Sequence, residues 1–391
     1  MKKRIAIITS TRAEYGLLLP LIRKMQECPV LEPAILVSGT HLLERFGNTI
    51  QYIENDGIDI AYKIPIFDDD FKSDEISVAK AIARATELTA EIFEKEKYDA
   101  MVVLGDRYEL LGFCNAAAIC RVPVIHLHGG EITEGAIDDK IRHAVTKLAS
   151  LHFPSIKEYA DRIIQMGEDP SKVHPVGALG IDNILSLKLL DKQELLKEVN
   201  VETDRPVAAV TFHPVTTESA EMAAKETDIV MECLVQSGVF SIITMPNSDV
   251  GGDVVFDRIM AAVESHPDQM CVRKSLGQLR YLSLLKNADI MIGNSSSGIL
   301  ESASFRLPTV DIGDRQKGRM APANVIHCEC EKDAIMQAIE KGMSHEFRES
   351  LAGYVSPYGD GHAAERMIEV IKDTDFSDPQ LIAKKFFDIN K

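Results

Sequence analysis

Short apolar runs alternate with longer amphipathic stretches along almost the whole chain, and this alternation limits the possible folds more than any other feature. Runs rich in Ile and Val, such as RIAIIT at 4–9 and DAMVVL at 99–104, predict strands that are buried on both faces. Stretches with helical periodicity follow them, for example at 16–28 and 108–120. Buried strands that alternate with helices form a parallel sheet covered by helices on both faces. The pattern therefore predicts an α/β protein.

The same pattern starts again in the second half, with PVAAVTF at 206–212 and FSIITM at 240–245. The stretch from 180 to 205 is charged and lacks a strand signal. We therefore predict two doubly wound, Rossmann-like domains with a cleft between them, where ligands of open α/β sheets bind. The predicted boundaries are 1–180 for the first domain, 181–205 for a linker and 206–361 for the second domain.

Composition narrows the possible partners. The chain has 60 acidic side chains against 43 Lys and Arg, a formal net charge of −17 over 391 residues. Nucleic-acid readers and proteins that dock on anionic membranes rely on clustered Lys and Arg, so we expect neither partner. No apolar run approaches the ~18 residues of a membrane span, and the seven cysteines show no disulfide or zinc spacing. We expect a cytoplasmic protein with reduced thiols.

Polar residues collect directly after the predicted strands, and the strand interiors lack them. The carboxyl ends of parallel strands meet at one edge of a sheet, so these residues predict a binding site there. The segments are TSTRAEYG at 9–16, GDRYE at 105–109, HLHGGE at 126–131, FHP at 212–214, PNSD at 246–249, GNSSSG at 293–298 and GDRQKGR at 313–319.

The segment GNSSSG invites comparison with a phosphate-binding P-loop, but the Lys-Ser/Thr pair that should follow is Ile299-Leu300. A Ser-rich turn that opens a helix can instead seat a diphosphate without metal. The alternative is simple N-capping by Ser296 or Ser297. Glu301, about one turn further on, could accept both hydroxyls of a ribose or merely complement the helix dipole.

Acidic residues and histidines at strand ends are suited to proton transfer when burial moves their pKa values towards neutrality. The candidates are Asp106, Glu131 and Asp138 with His213, although Asp138 could also be a helix cap, and His128 could be a structural histidine. Arg12, Arg107 and Arg315 could clamp phosphate or lie on the surface. No metal-ligand spacing, Gly-x-Ser-x-Gly or Gly-x-Gly-x-x-Gly occurs, so we expect neither a metal nor a cofactor.

Together these segments resemble the hydrolysing UDP-N-acetylglucosamine 2-epimerases, which supply N-acetylmannosamine for sialic acid synthesis. The resemblance also includes Asp138 with IRH at 141–143 and reaches PYGDG at 357–361, so it covers nearly the whole chain. It is less specific for the sugar, because close relatives act on a UDP- or GDP-linked diacetamido sugar in legionaminic acid synthesis. One departure is His128, where many members carry a catalytic Glu.

The resemblance implies the GT-B fold, a C-terminal segment at 362–391 whose helix (362–372) crosses back onto the first domain, a UDP-sugar substrate, no cofactor and a homodimer. It places Ser295, Ser296, Ser297 and Gly298 at the diphosphate, Glu301 at the ribose and the backbone of Leu276 at the uracil. Further substrate-binding residues are Arg12, Arg107, His128, Asn247, Asn294 and Arg315. The implied catalytic residues are Asp106, Glu131, Asp138 and His213.

The implied reaction has two steps. Anti elimination removes the C2 proton and expels UDP, which leaves a 2-acetamidoglycal, and water then adds with protonation of C2 from the opposite face. The alternatives are the diacetamido-sugar enzyme, a GT-B glycosyltransferase and a non-catalytic nucleotide-sugar sensor. A glycosyltransferase has no evident use for Asp106, Glu131 and Asp138, and a sensor would not need them.

Overall fold

A computed structural model describes residues 2–44, 48–68, 74–132, 137–213, 220–244, 252–273 and 276–389. The chain divides into two compact units, one made of Met1–Asn183 with Tyr358–Lys391 and the other of Ile184–Pro357. Among the predicted site residues, Asn247 lies outside the described residues.

The first unit holds a parallel sheet in which six strands are described, in the order β3-β2-β1-β4-β5-β6. The second holds a sheet in the order β12-β11-β10-β7-β8-β9. The strands are β1 (Lys3–Thr9), β2 (Leu31–Ser38), β3 (Ile60–Ile64), β4 (Ala100–Leu104), β5 (Val124–Leu127), β6 (Leu151–Phe153), β7 (Val207–Thr211), β8 (Phe240–Thr244), β9 (Met270–Arg273), β10 (Ile290–Gly293), β11 (Thr309–Ile312) and β12 (Val325–Cys328).

Helices connect these strands. They are α1 (Arg12–Glu27), α2 (Ile50–Asn55), α3 (Glu75–Lys95), α4 (Leu110–Cys120), α5 (Ile137–Leu148), α6 (Lys157–Gln165), α7 (Leu179–Ser186), α8 (Lys192–Glu198), α9 (Ala220–Ser237), α10 (Gly252–Ser265), α11 (Gly277–Asn287), α12 (Ser297–Leu300), α13 (Lys332–Met343), α14 (His345–Ser350), α15 (Ala363–Asp373) and α16 (Pro379–Ile382).

Both sheets have the doubly wound topology. Each begins in the middle, adds two strands on one side and then three on the other, so the direction of winding reverses between β1 and β4 and between β7 and β10. At such a switch point the connections leave the two central strands in opposite directions and leave their carboxyl ends uncovered. The predicted α/β class with two doubly wound sheets is confirmed.

Side chains of the central strands alternate between two cores, one on each face of the sheet. In β1, Ile5 and Ile7 pack into one core, while Ala6 and Ile8 pack into the other. In β7, Ala208 and Val210 pack on one face and Val207 and Ala209 on the other. Burial on both faces explains why the central strands read as continuous apolar runs.

Two strands were not predicted from the sequence, β3 and β12, and each is the last strand at one end of its sheet. In β3, Ala61 and Lys63 are exposed, and in β12 His327 is exposed. Because these side chains are exposed, the sequences of β3 and β12 lack the continuous apolar run of a strand that is buried on both faces.

Of the predicted linker at 181–205, residues 184–205 lie in the second unit and 181–183 in the first. Helix α8 begins with a capping box between Asp191 and Glu194, and Leu195 and Val199 pack into that unit's core. Seven residues are too few for the sequence periodicity to stand out. The chain returns to the first unit at Tyr358, and α15 packs Met367 and Ile371 into the same core as α1.

Within the part of the chain that the structure describes, no helix is both long and apolar enough to cross a bilayer. All seven cysteines are free thiols.

Asp182 ties the returning chain to the first unit. Its two carboxylate oxygens accept hydrogen bonds from the backbone N–H groups of Ala363 at 3.0 Å and Ala364 at 2.7 Å, at the start of α15. We expect Asp182→Ala to lower the free energy of unfolding by about 2 kcal/mol, because two buried N–H groups lose their acceptor. Urea denaturation measures this change. Asp373→Ala, at the exposed end of α15, is the matched control, and equal effects of the two substitutions would contradict the assignment.

Candidate functional site

The first unit gathers its acidic site residues around one buried arginine, Arg142 of α5. The side chain of Arg142 is 4% exposed. Its guanidinium donates to the carboxylate of Asp106, to the backbone carbonyl of Glu131 at 3.0 Å and to the carboxylate of Asp139 at 3.2 Å. One cation thus links the segments that follow β4 and β5 to the first turn of α5.

Asp138 lies in the same cluster. Burial raises the pKa of its carboxyl group, and the charge of Asp106 raises it further, while Arg142 and Arg107 act in the opposite direction. A carboxyl group with a raised pKa near a second carboxylate is the arrangement in which one group keeps its proton while the other accepts one. The structure therefore brings together Asp106, Glu131 and Asp138, as the resemblance implied.

The HGG segment after β5 is packed so tightly that larger residues do not fit. A Cβ at Gly129 would lie 2.9 Å from Nδ1 of His126, and a Cβ at Gly130 would overlap the carbonyl oxygen of Tyr159. His126 is fully buried, and burial lowers its pKa to about 3. The neutral ring bonds the carbonyl of Gly105 at 2.8 Å and therefore holds the segment that carries Asp106.

His128 has a left-handed backbone, with φ of 58°. This conformation is unusual for a residue other than glycine and turns the ring towards Glu131, whose Oε1 lies 3.2 Å from Nδ1. Nε2 of His128 is buried without a hydrogen-bond partner among the described residues. His128 thus contacts a predicted catalytic residue directly and lies with the acids.

The two arginines of the first unit that were predicted to bind substrate, Arg12 and Arg107, have different surroundings. Arg12 is exposed and stacks its guanidinium over Tyr52, 4.3 Å from the ring centroid. Arg107 is anchored by its Nε, which donates to Oε1 of Glu109 at 2.6 Å. Glu109 is fully buried, and a second buried acid, Glu14, lies in the first turn of α1.

In the second unit, a reciprocal pair of hydrogen bonds joins the ends of β7 and β10. The N–H of His213 donates to the side-chain oxygen of Asn294 at 2.7 Å, and the Asn294 amide donates to the His213 carbonyl at 2.8 Å. The Asn294 carbonyl in turn accepts from Arg315 at 3.2 Å and from Gln316 at 2.9 Å. Asn294 thus uses its side chain and carbonyl to hold His213 and Arg315 in place, and its implied contact with substrate stays a prediction.

The Ser-rich segment forms a tight turn. At Gly293, φ is 142°, and a Cβ there would overlap the carbonyl oxygen of Thr211. Among the described residues, the backbone N–H groups of Ser295 and Ser296 make no hydrogen bond. Helix α12 spans only Ser297–Leu300 before a 3-10 turn follows, so its dipole is weak. The backbone N–H groups of Ser295 and Ser296 could therefore bind an anion, and they would contribute more to its binding than the dipole of α12.

Glu301 is held by the hydroxyl of Ser297, which donates to Oε2. Burial raises the pKa of Glu301, and the hydrogen bond from Ser297 opposes that effect. Burial raises the pKa of the Tyr281 hydroxyl in α11, the charge of Glu301 adds to the effect, and Ser297 and Thr211 oppose it. Leu276 is buried directly before α11. Gly298 lies within α12, where a Cβ would come 2.9 Å from the side chain of Thr309.

One further group of polar side chains lies beside Arg315. Asp314, His327 and Glu329 each offer one ligand atom, and these atoms lie within 4.8 Å of one another. All three residues are exposed, Asp314 also pairs with Lys317 at 3.2 Å, and His327 bonds Asp311. We assign no metal to this group.

Sequence reasoning missed Arg142, Glu14 and Glu109. Arg142 belongs to the IRH segment, but a single arginine in an amphipathic helix normally lies on the surface, so its burial does not follow from the sequence. Glu14 and Glu109 each follow a strand end by a few residues, within TRAEYG and GDRYE. Their position one helical turn beyond the strand end is the signal that could have identified them.

Comparison with known proteins shows that the chain belongs to a known family. Residues 23–372 match the family model described as UDP-N-acetylglucosamine 2-epimerase. A GDP/UDP-N,N'-diacetylbacillosamine 2-epimerase (hydrolyzing) of Campylobacter jejuni is 37% identical, with 89% of this chain and 90% of that protein covered. The UDP-N,N'-diacetylbacillosamine 2-epimerase (hydrolyzing) of Legionella pneumophila is 33% identical, with 95% and 96% covered. The Polysialic acid biosynthesis protein P7 of Escherichia coli is 34% identical, with 95% and 94% covered.

The fold has solved counterparts. The crystal structure of UDP-GlcNAc 2-epimerase from Neisseria meningitidis bound to UDP-GlcNAc superposes with a TM-score of 0.74, over 95% of this chain and 100% of that one, at 16% identity. At this identity the likeness shows the fold alone, which is the predicted GT-B type.

Removal of Arg142 provides a test of the acid cluster that needs no ligand. We expect Arg142→Met to raise the pKa of Asp138 further, because a cation that favours its carboxylate is lost while Asp106 remains. Carbon-13 NMR titration of the side-chain carboxyl groups measures this pKa. The free energy of unfolding should also fall by about 3 kcal/mol, since a buried ion pair is broken.

Lys140→Met is the matched control, because Lys140 lies in the same helix and is exposed. An unchanged pKa of Asp138 in Arg142→Met, or an equal change in Lys140→Met, would contradict the arrangement.

Proposed function

The chain belongs to the UDP-N-acetylglucosamine 2-epimerase family, and we propose that it is a hydrolysing 2-epimerase, which releases UDP from a UDP-linked 2-acetamido sugar and inverts the configuration at C2. The observation that supports this most directly is the cluster of Asp106, Glu131 and Asp138 around Arg142. Inversion at C2 needs one group to remove a proton and a second to return one. A protein that only bound the nucleotide sugar would not require such a pair.

The proposed reaction has two steps. First, a base takes the proton from C2, the electrons of that C–H bond form a double bond between C1 and C2, and the C1–O bond to UDP breaks. Second, water adds its oxygen to C1 and C2 takes a proton from the opposite face. UDP and the free 2-epimer leave. No redox cofactor is consumed, because elimination and hydration change no overall oxidation state.

We propose that Asp138 is the proton donor and Asp106 the base. Support comes from the raised pKa of Asp138, which burial and the neighbouring Asp106 produce. A positioned donor and acceptor typically contribute about 10²–10⁴-fold each to the rate. Glu131 and His128, in mutual contact, would orient the sugar or relay protons.

The second unit offers the chemistry that the leaving group needs. We propose that the N–H groups of Ser295 and Ser296 bind the diphosphate, that His213 and Arg315 stabilise its developing charge, and that Glu301 accepts hydrogen bonds from the ribose. Preorganised donors of this kind lower the barrier most when they face charge that develops during the reaction. Leu276 and Asn247 stay predictions as contacts of the nucleotide.

For the sugar, we propose the 2,4-diacetamido sugar of UDP-N,N'-diacetylbacillosamine. The relatives at 37% and 33% identity carry that substrate in their names. The diacetamido sugar therefore takes first place, ahead of UDP-N-acetylglucosamine, which was the first choice from the sequence. UDP-N-acetylglucosamine is the second candidate, favoured by the family description and the polysialic acid relative at 34%. The product would supply legionaminic acid synthesis in the first case and sialic acid synthesis in the second. The homodimer and the cytoplasmic location stay predictions.

An assay of both sugar nucleotides in deuterium oxide tests the reaction and the substrate together. We expect UDP release with one deuterium at C2 of the free sugar, because the proton that returns comes from solvent-exchanged groups. Mass spectrometry and proton NMR read out the product, and kcat/KM should be higher for the diacetamido sugar. Product that keeps protium at C2 would exclude elimination, and a preference for UDP-N-acetylglucosamine would reverse the substrate assignment.

Asp106→Asn tests the role of the acid cluster. We expect kcat to fall by about 10²–10⁴-fold, because the amide cannot take a proton, while the Kd of UDP measured by calorimetry stays within about twofold. Asp59→Asn, at an exposed position of the same unit, is the control. Normal turnover in Asp106→Asn would remove Asp106 from the chemistry.

A further inference from the structure

Two buried glutamates lie after neighbouring strand ends at the switch point of the first sheet, and the charge of Glu109 acts on Glu14. Glu14 lies in the first turn of α1, directly after β1, and Glu109 precedes α4, directly after β4. Because β1 and β4 are hydrogen-bonded neighbours, the two helix starts lie side by side at one edge of the sheet. Glu14 is 5% exposed and Glu109 0%. Buried carboxylates are rare unless each one has a partner.

Each glutamate uses only one of its two oxygens. Oε2 of Glu14 accepts from the backbone N–H of Ser10 at 2.6 Å, and Oε1 of Glu109 accepts from Nε of Arg107 at 2.6 Å. The remaining oxygens, Oε1 of Glu14 and Oε2 of Glu109, are buried without a partner among the described residues. Two ionised carboxylates have only acceptors, so neither could satisfy the other. One proton would provide the missing donor.

We propose that Glu14 and Glu109 hold a single proton between them, with Glu14 as the acid and Glu109 as the carboxylate, and that this pair positions the guanidinium of Arg107 for the anionic substrate. The role of Arg107 in this proposal rests on the proposed function. The proton pair itself does not.

The charges around Glu14 are consistent with one retained proton. Burial raises the pKa of Glu14 to about 8, Glu109 adds to the effect, and the N–H groups of Ser10 and Thr11 and the charge of Arg107 oppose it. Near neutral pH the cluster therefore contains a neutral Glu14, an anionic Glu109 and a cationic Arg107, with no net charge. Arg107 also lowers the pKa of Asp138, so its position bears on the acid cluster.

Loss of the proton changes what Arg107 can do. Once Glu14 ionises, two carboxylates compete for the one guanidinium and the cluster carries a net negative charge. Both effects weaken attraction for a UDP-sugar, so KM should rise at alkaline pH while kcat changes little.

Helix capping is the competing explanation for Glu14. Thr11 and Glu14 have the spacing of a capping box, and Oγ1 of Thr11 accepts from the N–H of Glu14 at 3.2 Å. A helix cap needs only Oε2 of Glu14 as a hydrogen-bond acceptor, and this oxygen can accept whether Glu14 is protonated or ionised. Capping alone therefore predicts no change of KM with pH, which makes the two explanations distinguishable.

The test compares Glu14→Gln with the wild type across pH. In the wild type, KM should rise by about tenfold from about pH 7 to about pH 9, as follows from a single proton lost near the pKa of about 8. Glutamine keeps an acceptor for Ser10 and an N–H donor for Glu109 but cannot ionise. In Glu14→Gln, KM should therefore stay within about twofold of the wild-type value near neutral pH and become flat with pH.

Two further variants complete the series. Glu14→Leu removes the donor and should raise KM at every pH, whereas Glu27→Gln, at an exposed position in the same helix, should retain the wild-type profile. An alkaline rise of KM that persists in Glu14→Gln overturns the proposal. So does a KM near neutral pH that is as high in Glu14→Gln as in Glu14→Leu.

Infrared difference spectroscopy of wild type against Glu14→Gln provides a readout without substrate. A protonated carboxyl C=O band should be present near pH 6 and disappear above about pH 9, following the same pKa of about 8. Absence of that band overturns the proton pair even if Glu14→Leu fails to fold. If neither sugar nucleotide is turned over, the proposed function fails, and the infrared band still decides whether the pair exists.

Discussion

At the carboxyl edge of each sheet two central strands end side by side, and the chain leaves them in opposite directions. At a switch point of this kind the connections diverge from the strand ends, so buried polar groups there need partners within the loops. Each unit meets this need with a buried polar pair that spans the switch point. In the first unit the proposed pair is Glu14 and Glu109, and in the second it is His213 and Asn294. Two predicted site residues are anchored there, because Arg107 bonds Glu109 and Arg315 bonds the carbonyl of Asn294.

The acid cluster depends on a second constraint, which is the cost of burying like charges. Asp106, Asp138 and Asp139 converge in a chain of net charge −17. The buried guanidinium of Arg142 bonds Asp106 and Asp139, and Arg142 and Arg107 both oppose the rise in the pKa of Asp138. Arg142 suits this place because its planar guanidinium donates in several directions at once, which a lysine ammonium does not do in a fixed geometry.

Much of the fold could be predicted from the sequence, and the exceptions have a common cause. Central strands such as β1 and β7 are buried on both faces and therefore appear as uninterrupted apolar runs. β3 and β12 contain exposed side chains and therefore lack a continuous apolar run. Helix α8 is too short to show a clear helical periodicity in its sequence. The acids Asp106, Glu131 and Asp138 could be predicted because they directly follow strands or open a helix. Arg142 could not, because nothing in a helical pattern distinguishes a buried arginine from an exposed one.

By itself the sequence determined that the chain is an α/β protein with two doubly wound halves, that its polar residues collect at strand ends, and that these resemble a family of sugar-nucleotide enzymes. Local patterns suffice for this. Burial on both faces gives a strand a continuous run of apolar residues, and the polar residues of the turn follow directly in the sequence. Only the tertiary structure decided which side chains meet. Asn294 joins the ends of β7 and β10, and Glu14 and Glu109, 95 residues apart in the chain, come to lie after neighbouring strands. Such pairings follow from strand order, and strand order is a property of the whole sheet.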